Sequence, residues 1–256
     1  MNSPATSPDQ SPAWHDLRRF TDARIALGRT GGSVRTDTLL DFRLSHARAR
    51  DAVHAEFDPT RITRPLNDAG IRTQILTTRA TDRSAYLLRP DLGRRLSPAS
   101  ANTLKEWRTA TATPPDVTLI ISDGLSALAA ERQAPATVLA LYHELCDKGW
   151  NVGPVLVVPY ARVKLQDEIG GCLGSRQTVM LLGERPGLGT PDSLGAYFTY
   201  RPHARCTDAD RNCVSNIRPA GLPPRQAATK LARLLFDSVS QKLSGVRLKD
   251  HCPPLI

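Results

Sequence analysis

The sequence has no long apolar run and nothing like a secretory leader at its start. No stretch of its 256 residues approaches the roughly 18 uninterrupted apolar positions that a membrane helix needs, so we expect no membrane association. Residues 1–12 are rich in Ser and Pro and lack the apolar core of a signal peptide. We therefore expect a cytoplasmic protein.

The sequence contains few cysteines, and their spacing shows no pairing pattern. The five are odd in number, widely spaced, and form no C-x-x-C pair. This spacing argues against both a disulfide framework and a zinc knuckle, so reduced thiols and no metal site are expected. The cysteines are Cys146, Cys172, Cys206, Cys213 and Cys252.

Aromatic residues make up only 5% of the chain, although its formal charge is +9. A basic chain suggests nucleic-acid binding, but the 34 basic residues are scattered, and the few aromatics cannot supply the stacking surface that single-strand binders use. A basic α/β nucleic-acid-binding protein stays an alternative. An acidic partner subunit or a phosphate-bearing ligand would suit the arginines equally well.

Helical spacing dominates the N-terminal part. We predict a flexible tail over residues 1–13, a helix over 14–28, a loop over 29–35, and a second helix over 36–57 that Thr36 caps. Leu40 and Leu44 are expected to turn inward from this second helix. Residues 14–58 thus form a predicted N-terminal helical segment.

From residue 59 to 256 short apolar runs alternate with helical stretches, which is typical of parallel strands joined by crossover helices. The sequence therefore predicts an α/β fold: a Rossmann-like, mostly parallel sheet flanked by helices, with the helical N-terminal extension. The predicted strands are 71–77, 117–122, 154–158, 178–182 and 196–200. The predicted helices are 97–108, 125–132, 135–148, 163–171 and 225–243.

Three loops that follow predicted strands are unusual, and ligands of open α/β sheets bind beyond the carboxyl ends of strands. They are residues 122–126 (Ser-Asp-Gly-Leu-Ser), 160–163 (Tyr-Ala-Arg-Val) and 183–189 (Gly-Glu-Arg-Pro-Gly-Leu-Gly). The last lacks the Lys-Ser/Thr of a P-loop and the G-x-G-x-x-G spacing of a dinucleotide fingerprint. For Asp123, helix capping and ligand binding both remain open.

A polar segment, residues 207–217, surrounds the single thiol of Cys213. Alone, it indicates a structural cysteine or, less readily, a thiol nucleophile. Ser122 is not flanked as G-x-S-x-G, so a nucleophile elbow is unsupported. A stand-alone hydrolase that uses Cys213 or Ser122 is the other alternative.

Several blocks in one order, between Leu17 and Asp250, resemble the small subunit of adenosylcobalamin-dependent ethanolamine ammonia-lyase. Besides the loops at 122–126 and 183–189, the blocks are residues 21–29, 47–54, 86–94, 211–217 and 243–250. The resemblance implies a subunit of a carbon–nitrogen lyase that converts ethanolamine to acetaldehyde and ammonia by a radical mechanism. It also implies a large partner subunit, a TIM barrel, that holds ethanolamine and most catalytic groups.

The same resemblance assigns the contacts with adenosylcobalamin to Val163, Glu184 and Cys213, and no catalytic residue to this chain. A corrin is a broad apolar plate fringed with amides, so an apolar floor, a carboxylate acceptor and a small thiol suit it. Glu184 pairing with Arg185 or another arginine is the alternative for that residue.

No histidine has Asp two positions before it, so the Asp-x-His-x-x-Gly motif that replaces the cofactor's own base is missing. We therefore expect the cofactor to remain base-on, with no protein histidine on cobalt. The short segment before Trp14 leaves encapsulation in a bacterial microcompartment open.

Overall fold

A computed structural model describes residues 16–20, 25, 27, 29–30 and 32–250 of the chain. The strands are β1 (Arg29–Thr30), β2 (Ser33–Val34), β3 (Thr73–Ile75), β4 (Val117–Ser122), β5 (Val155–Val157), β6 (Gln177–Gly183), β7 (Leu194–Tyr200) and β8 (Arg211–Ile217). The helices are α1 (Thr36–His54), α2 (Thr60–Asp68), α3 (Arg83–Leu88), α4 (Pro98–Ala110), α5 (Ala127–Asp147), α6 (Leu165–Leu173) and α7 (Pro224–Gln241).

Six strands form the main sheet, in the order β3-β5-β4-β6-β7-β8. The first four are parallel, β7 runs antiparallel to β6, and β8 runs antiparallel to β7. Strands β4 and β6 are buried along their whole length, as continuous apolar runs indicate for a sheet covered on both faces. The expected mostly parallel α/β architecture is confirmed.

Helices cover both faces of the sheet. Helices α5 and α7 pack on one face, where Phe198 and Leu141 belong to the larger apolar cluster. Helices α4 and α6 pack on the other face, where Met180 and Ile169 belong to the smaller cluster.

Helix α5 replaces two predicted helices. Residues 125–132 and 135–148 are predicted separately because proline removes a backbone donor and disfavours a helix interior. The structure shows one helix with Pro135 inside it. Ala134, Val138 and Leu141 are fully buried on its core face, so packing against the sheet outweighs the local cost of the proline.

The N-terminal part departs most from expectation. Helix α1 begins at Thr36 with Arg35 at the N-cap position, and its one buried residue is Ala52. Leu40 and Leu44 are 58% and 50% exposed, so the prediction that they turn inward is wrong. Nothing in the described part of the chain packs over that face.

The segment before helix α1 also differs. The predicted loop at 29–35 contains the short antiparallel pair β1 and β2. Within the predicted helix 14–28, Asp16 and Leu17 are helical, Arg18–Phe20 forms a 3-10 turn, and Ile25 and Leu27 have no helical structure. The remaining residues of 14–28 and the whole predicted tail, 1–13, lie outside the described residues.

Three elements of the domain are absent from the predicted set: α2, α3 and β8. Strand β8 lies at the sheet edge, and three of its seven residues are buried. Its polar sequence therefore does not show the apolar pattern from which strands are predicted.

None of the helices in the described part of the chain combines the length and apolar character needed to cross a lipid bilayer. The proposed division at residues 13 and 58 stays a prediction.

Two adjacent glycines of α6 should respond oppositely to alanine. A Cβ at Gly170 would overlap the Pro202 ring and lie 2.6 Å from Thr178 Cγ2, whereas a Cβ at Gly171 meets only the Pro202 carbonyl oxygen, at 3.8 Å. We expect Gly170→Ala to lower the free energy of unfolding by about 1 to 3 kcal/mol through overpacking. Gly171→Ala should raise it by about 0.5 to 1 kcal/mol, since alanine is the better helix former. Urea denaturation of both variants, followed by circular dichroism, checks the signs.

Candidate functional site

The three loops at the carboxyl edge of the sheet lie against one another, and two of them meet at the Asp123 carboxylate. Oδ1 accepts a hydrogen bond from the Tyr160 backbone N–H at 2.7 Å and one from the Ser122 hydroxyl at 3.0 Å. Oδ2 accepts from Arg83 Nη1 at 2.8 Å. The third loop joins through the backbone, because the Leu125 N–H donates to the Gly183 carbonyl at 2.9 Å. The loops that follow these three strands therefore come together at one edge of the sheet.

Asp123 does not cap a helix. The N-cap of α5 is Ser126, whose hydroxyl accepts from the Ala129 N–H at 3.2 Å. Asp123 is 1% exposed, so it does not face a ligand in this structure either. Its role is to connect loops, which neither open interpretation anticipated.

Arginines extend this connection toward the N-terminal helix. Arg83 Nε donates to the Val53 carbonyl at 2.8 Å, and so ties the end of α1 to the domain. Arg83 and Arg162 lie over the Tyr86 ring, with their guanidinium carbons 5.0 and 3.9 Å from its centroid. Burial raises the pKa of Tyr86 to about 12, so this ring stays neutral and serves as a packing surface.

A cavity of about 1050 Å³ is lined by residues of α6, β7 and β8 and of the segments next to them. Val163, Tyr197 and Cys213 line it together. Two of the three predicted contact residues, Val163 and Cys213, thus share one cavity although they are fifty positions apart. Charged residues complete the wall, among them Arg94, Arg162, Lys164, Asp167 and Arg211.

Glu184 lies next to this cavity, and Tyr197 connects the two. The Ser193 hydroxyl donates to Glu184 Oε2 at 2.5 Å. A Cβ placed on Gly195 would lie 3.0 Å from Glu184 Oε1 and 3.2 Å from Tyr197 Cε2, so the glutamate and the ring share one side of that glycine. Among the described residues, the Glu184 carboxylate has no ion pair with Arg185, so the pairing alternative finds no support.

Tyr197 is the residue that sequence reasoning missed. It pairs directly with Cys213 across the β7–β8 ladder, while its neighbours Ala196 and Phe198 are buried in the opposite face. Alternation along residues 194–200 is the signal that identifies Tyr197 as facing away from the core. Burial raises the pKa of its hydroxyl, and the nearby Cys213 and Glu184 raise it further, so Tyr197 is a neutral donor.

Neither candidate nucleophile is set up for covalent chemistry. Although Cys213 is exposed, partial desolvation of its thiol raises its pKa, which the Tyr197 hydrogen bond opposes only in part. A protonated thiol is a poor nucleophile. Ser122 is fully buried, and its hydroxyl is bonded to Asp123 and the Ala161 backbone.

A cluster of charged side chains around the buried Asp167 lines part of the cavity. Asp167 Oδ2 pairs with Lys164 Nζ at 2.9 Å and with Arg211 Nη2. Arg211 Nη1 also pairs with Asp208 Oδ1 at 2.9 Å. Burial raises the pKa of the Asp167 carboxyl, and the two cations act against that rise. Sequence reasoning gave no signal for this cluster.

Four of the five cysteines lie in the described part of the chain, and all four are free thiols, as expected. Cys172, Cys206 and Cys213 face the cavity. Cys252 lies outside the described residues.

Comparison with known proteins finds one family model, that of the ethanolamine ammonia-lyase light chain, which matches residues 11–249. A protein from Azotobacter vinelandii named ethanolamine ammonia-lyase small subunit is 48% identical over 247 residues, which cover 95% of this chain and 92% of that protein. Proteins of the same name from Pseudomonas fluorescens strain Pf-5 and Pseudomonas syringae pv. tomato are 48% and 47% identical. The two matches span 95% and 98% of this chain, and they span 89% and 88% of the respective relatives.

Proposed function

The chain belongs to the ethanolamine ammonia-lyase light-chain family, and from this membership we propose that it forms part of an adenosylcobalamin site where it meets the large subunit. The observation that carries the proposal is that Val163, Tyr197 and Cys213 line one cavity and that Glu184 lies beside Tyr197 next to it. The two-subunit enzyme then converts ethanolamine to acetaldehyde and ammonia in the cytoplasm, with encapsulation left open.

The residues present fit such a cofactor. Val163 and the face of Tyr197 offer apolar surface for a corrin, and Glu184 Oε1 is left to accept a hydrogen bond because Ser193 occupies Oε2. Gly195 keeps the space beside this oxygen free of a side chain. The cavity of about 1050 Å³ is of the size that holds part of a large ligand.

The tasks of this chain and of the large subunit differ according to the side chains that this chain places near the cofactor. When bound, adenosylcobalamin supplies radical chemistry through homolysis of its cobalt–carbon bond. Val163 and Tyr197 support the ring and exclude water from its edge. Glu184 orients it by accepting an N–H or O–H, and the neutral Cys213 permits close approach. Substrate binding is the task of the large subunit, a TIM barrel, and the cofactor stays base-on.

The expected effect of Glu184→Ala is a loss of cobalamin affinity of about 1.5 to 3 kcal/mol, because one charge-assisted hydrogen bond disappears. This corresponds to a Kd higher by roughly 10- to 150-fold. Visible-absorption titration of the co-purified two-subunit complex with cobalamin measures it. Glu106→Ala, an exposed change on α4, is the control and should leave Kd unchanged.

Two results would count against this function. An unchanged Kd in the Glu184→Ala complex means that the site is misplaced. Ammonia release from ethanolamine by this chain alone, without the large subunit or without adenosylcobalamin, contradicts the proposed division between subunits.

A further inference from the structure

Asp167 receives two cations that belong to different walls of the cavity. Its side chain is 1% exposed, and a single oxygen, Oδ2, pairs with both Lys164 and Arg211. Lys164 is in the segment that leads into α6, and Arg211 is the first residue of β8. One buried carboxylate therefore joins two segments that are more than forty positions apart.

These two segments carry the predicted cofactor contacts. Lys164 directly follows Val163. Arg211 and Cys213 are two residues apart on β8, so their side chains project from the same face of the strand. The Asp167–Arg211 pair therefore ties the start of α6, which follows Val163, to the strand that carries Cys213.

The Lys164 ammonium also binds the loop between β7 and β8, which lines the cavity as well. Nζ donates to the Ala204 carbonyl at 3.0 Å and to the Cys206 carbonyl. The loop between β7 and β8 is thereby held to the same cluster. Three of the segments that line the cavity therefore meet at one ion group: the start of α6, the loop between β7 and β8, and β8 itself.

Stability alone does not explain such a cluster. Burying charges carries a large desolvation cost, and apolar side chains of similar volume often give an equally stable interior. What an ion cluster adds is a defined geometry. A site whose walls are fixed before binding avoids the ordering cost that a loose site incurs on association.

We propose that Asp167 is a positioning residue that holds Val163 and Cys213 at the spacing required for cobalamin. The inference rests on the proposed function, since it assigns Asp167 a task only if those residues contact the cofactor. Asp167 lines the cavity with a side chain that is only 1% exposed, and the proposal assigns it no direct contact with the ligand.

The test compares Asp167→Asn with Asp208→Asn in the co-purified two-subunit complex. Both changes remove one carboxylate charge from Arg211, but the Asp208 side chain is 99% exposed and does not reach Lys164. Kd for hydroxocobalamin is measured by visible absorption on complexes first shown by gel filtration to be assembled. We expect Asp167→Asn to raise Kd by about tenfold or more, and Asp208→Asn to change it by less than about twofold.

A double-variant cycle separates positioning from general destabilisation. Lys164→Gln should weaken binding as Asp167→Asn does, and the two together should cost little more than either alone, because they remove the same contact. Lys164→Arg, which keeps the charge, should restore most of the affinity. This cycle also serves if Asp167→Asn fails to assemble, since Lys164 is 33% exposed and tolerates replacement more readily.

The outcomes separate the two ideas. If the wild-type complex takes up no cobalamin, the proposed function fails. If wild type binds while Asp167→Asn binds equally well, or Asp208→Asn is weakened to the same degree, only the positioning role is wrong. Additive losses in Asp167→Asn and Lys164→Gln, with no recovery in Lys164→Arg, overturn it as well.

Discussion

Alanine at Gly183 is expected to lower the free energy of unfolding by more than about 3 kcal/mol. Gly183 is the last residue of β6, where the backbone of the loop at 122–126 approaches it. A Cβ there would overlap the Ser126 carbonyl oxygen and lie 2.7 Å from the Asp123 carbonyl oxygen. Because both obstacles are backbone atoms at the start of α5, no side-chain rotation can relieve the clash. Urea denaturation followed by circular dichroism measures the loss.

The change should also reach the site, because Gly183 precedes Glu184 directly. Any folded Gly183→Ala complex is expected to bind cobalamin more weakly than wild type. Gly153→Ala is the matched control: this glycine is also buried near a strand, but the nearest atom to an added Cβ is Pro115 Cβ at 3.4 Å. It should cost less than about 1 kcal/mol. An equal loss of unfolding free energy in the two variants would show that the lack of room for a Cβ is not what requires glycine at position 183.

The second large effect is expected for Asp123→Ala, at about 3 to 5 kcal/mol of unfolding free energy. Its carboxylate is 1% exposed and neutralises Arg83, whose side chain is 16% exposed. Removing it leaves a buried guanidinium without its anion and frees the Tyr160 N–H from its acceptor. Breaking one member of a buried pair is costly because the remaining charge stays desolvated.

The control for this variant is Asp91→Ala. Asp91 pairs with Arg89 at the same 2.8 Å, but the two side chains are 57% and 63% exposed. Water replaces the lost partner, so the expected change is below about 1 kcal/mol. Chemical denaturation of both variants decides the matter, and a similar small loss in Asp123→Ala would mean that Arg83 finds another partner or solvent.

Much of the sheet was determined by the sequence. The predicted bounds of Val117–Ser122 match the observed ones, because four of its six residues are apolar or β-branched aliphatic and polar segments flank the run. Strands β5, β6 and β7 were located within two residues of their observed bounds for the same reason. The sites Val163, Glu184 and Cys213 came from the family resemblance, and no local pattern would have selected them.

Local rules failed where packing decided the outcome. Pro135 lies inside one long helix because its neighbours bury their side chains in the core. Leu40 and Leu44 of α1 are exposed, although their spacing predicts a buried face. The prediction fails because an amphipathic pattern shows that a helix face can be covered, but not what covers it. Strand β8 is polar because it is an edge strand, where the pattern of burial is incomplete.

The sequence by itself determined the family and the alternation of most strands and helices along the chain, because hydrophobic periodicity and ordered motifs are local properties. Only the tertiary structure decided that Tyr197 lies between Glu184 and Cys213, that the Asp123 carboxylate connects its own loop to Tyr160, and that Asp167 joins two cavity walls. Each of these depends on contacts between residues far apart in the chain. Such contacts are set by how the helices pack on the sheet, and burial then fixes which charges must pair.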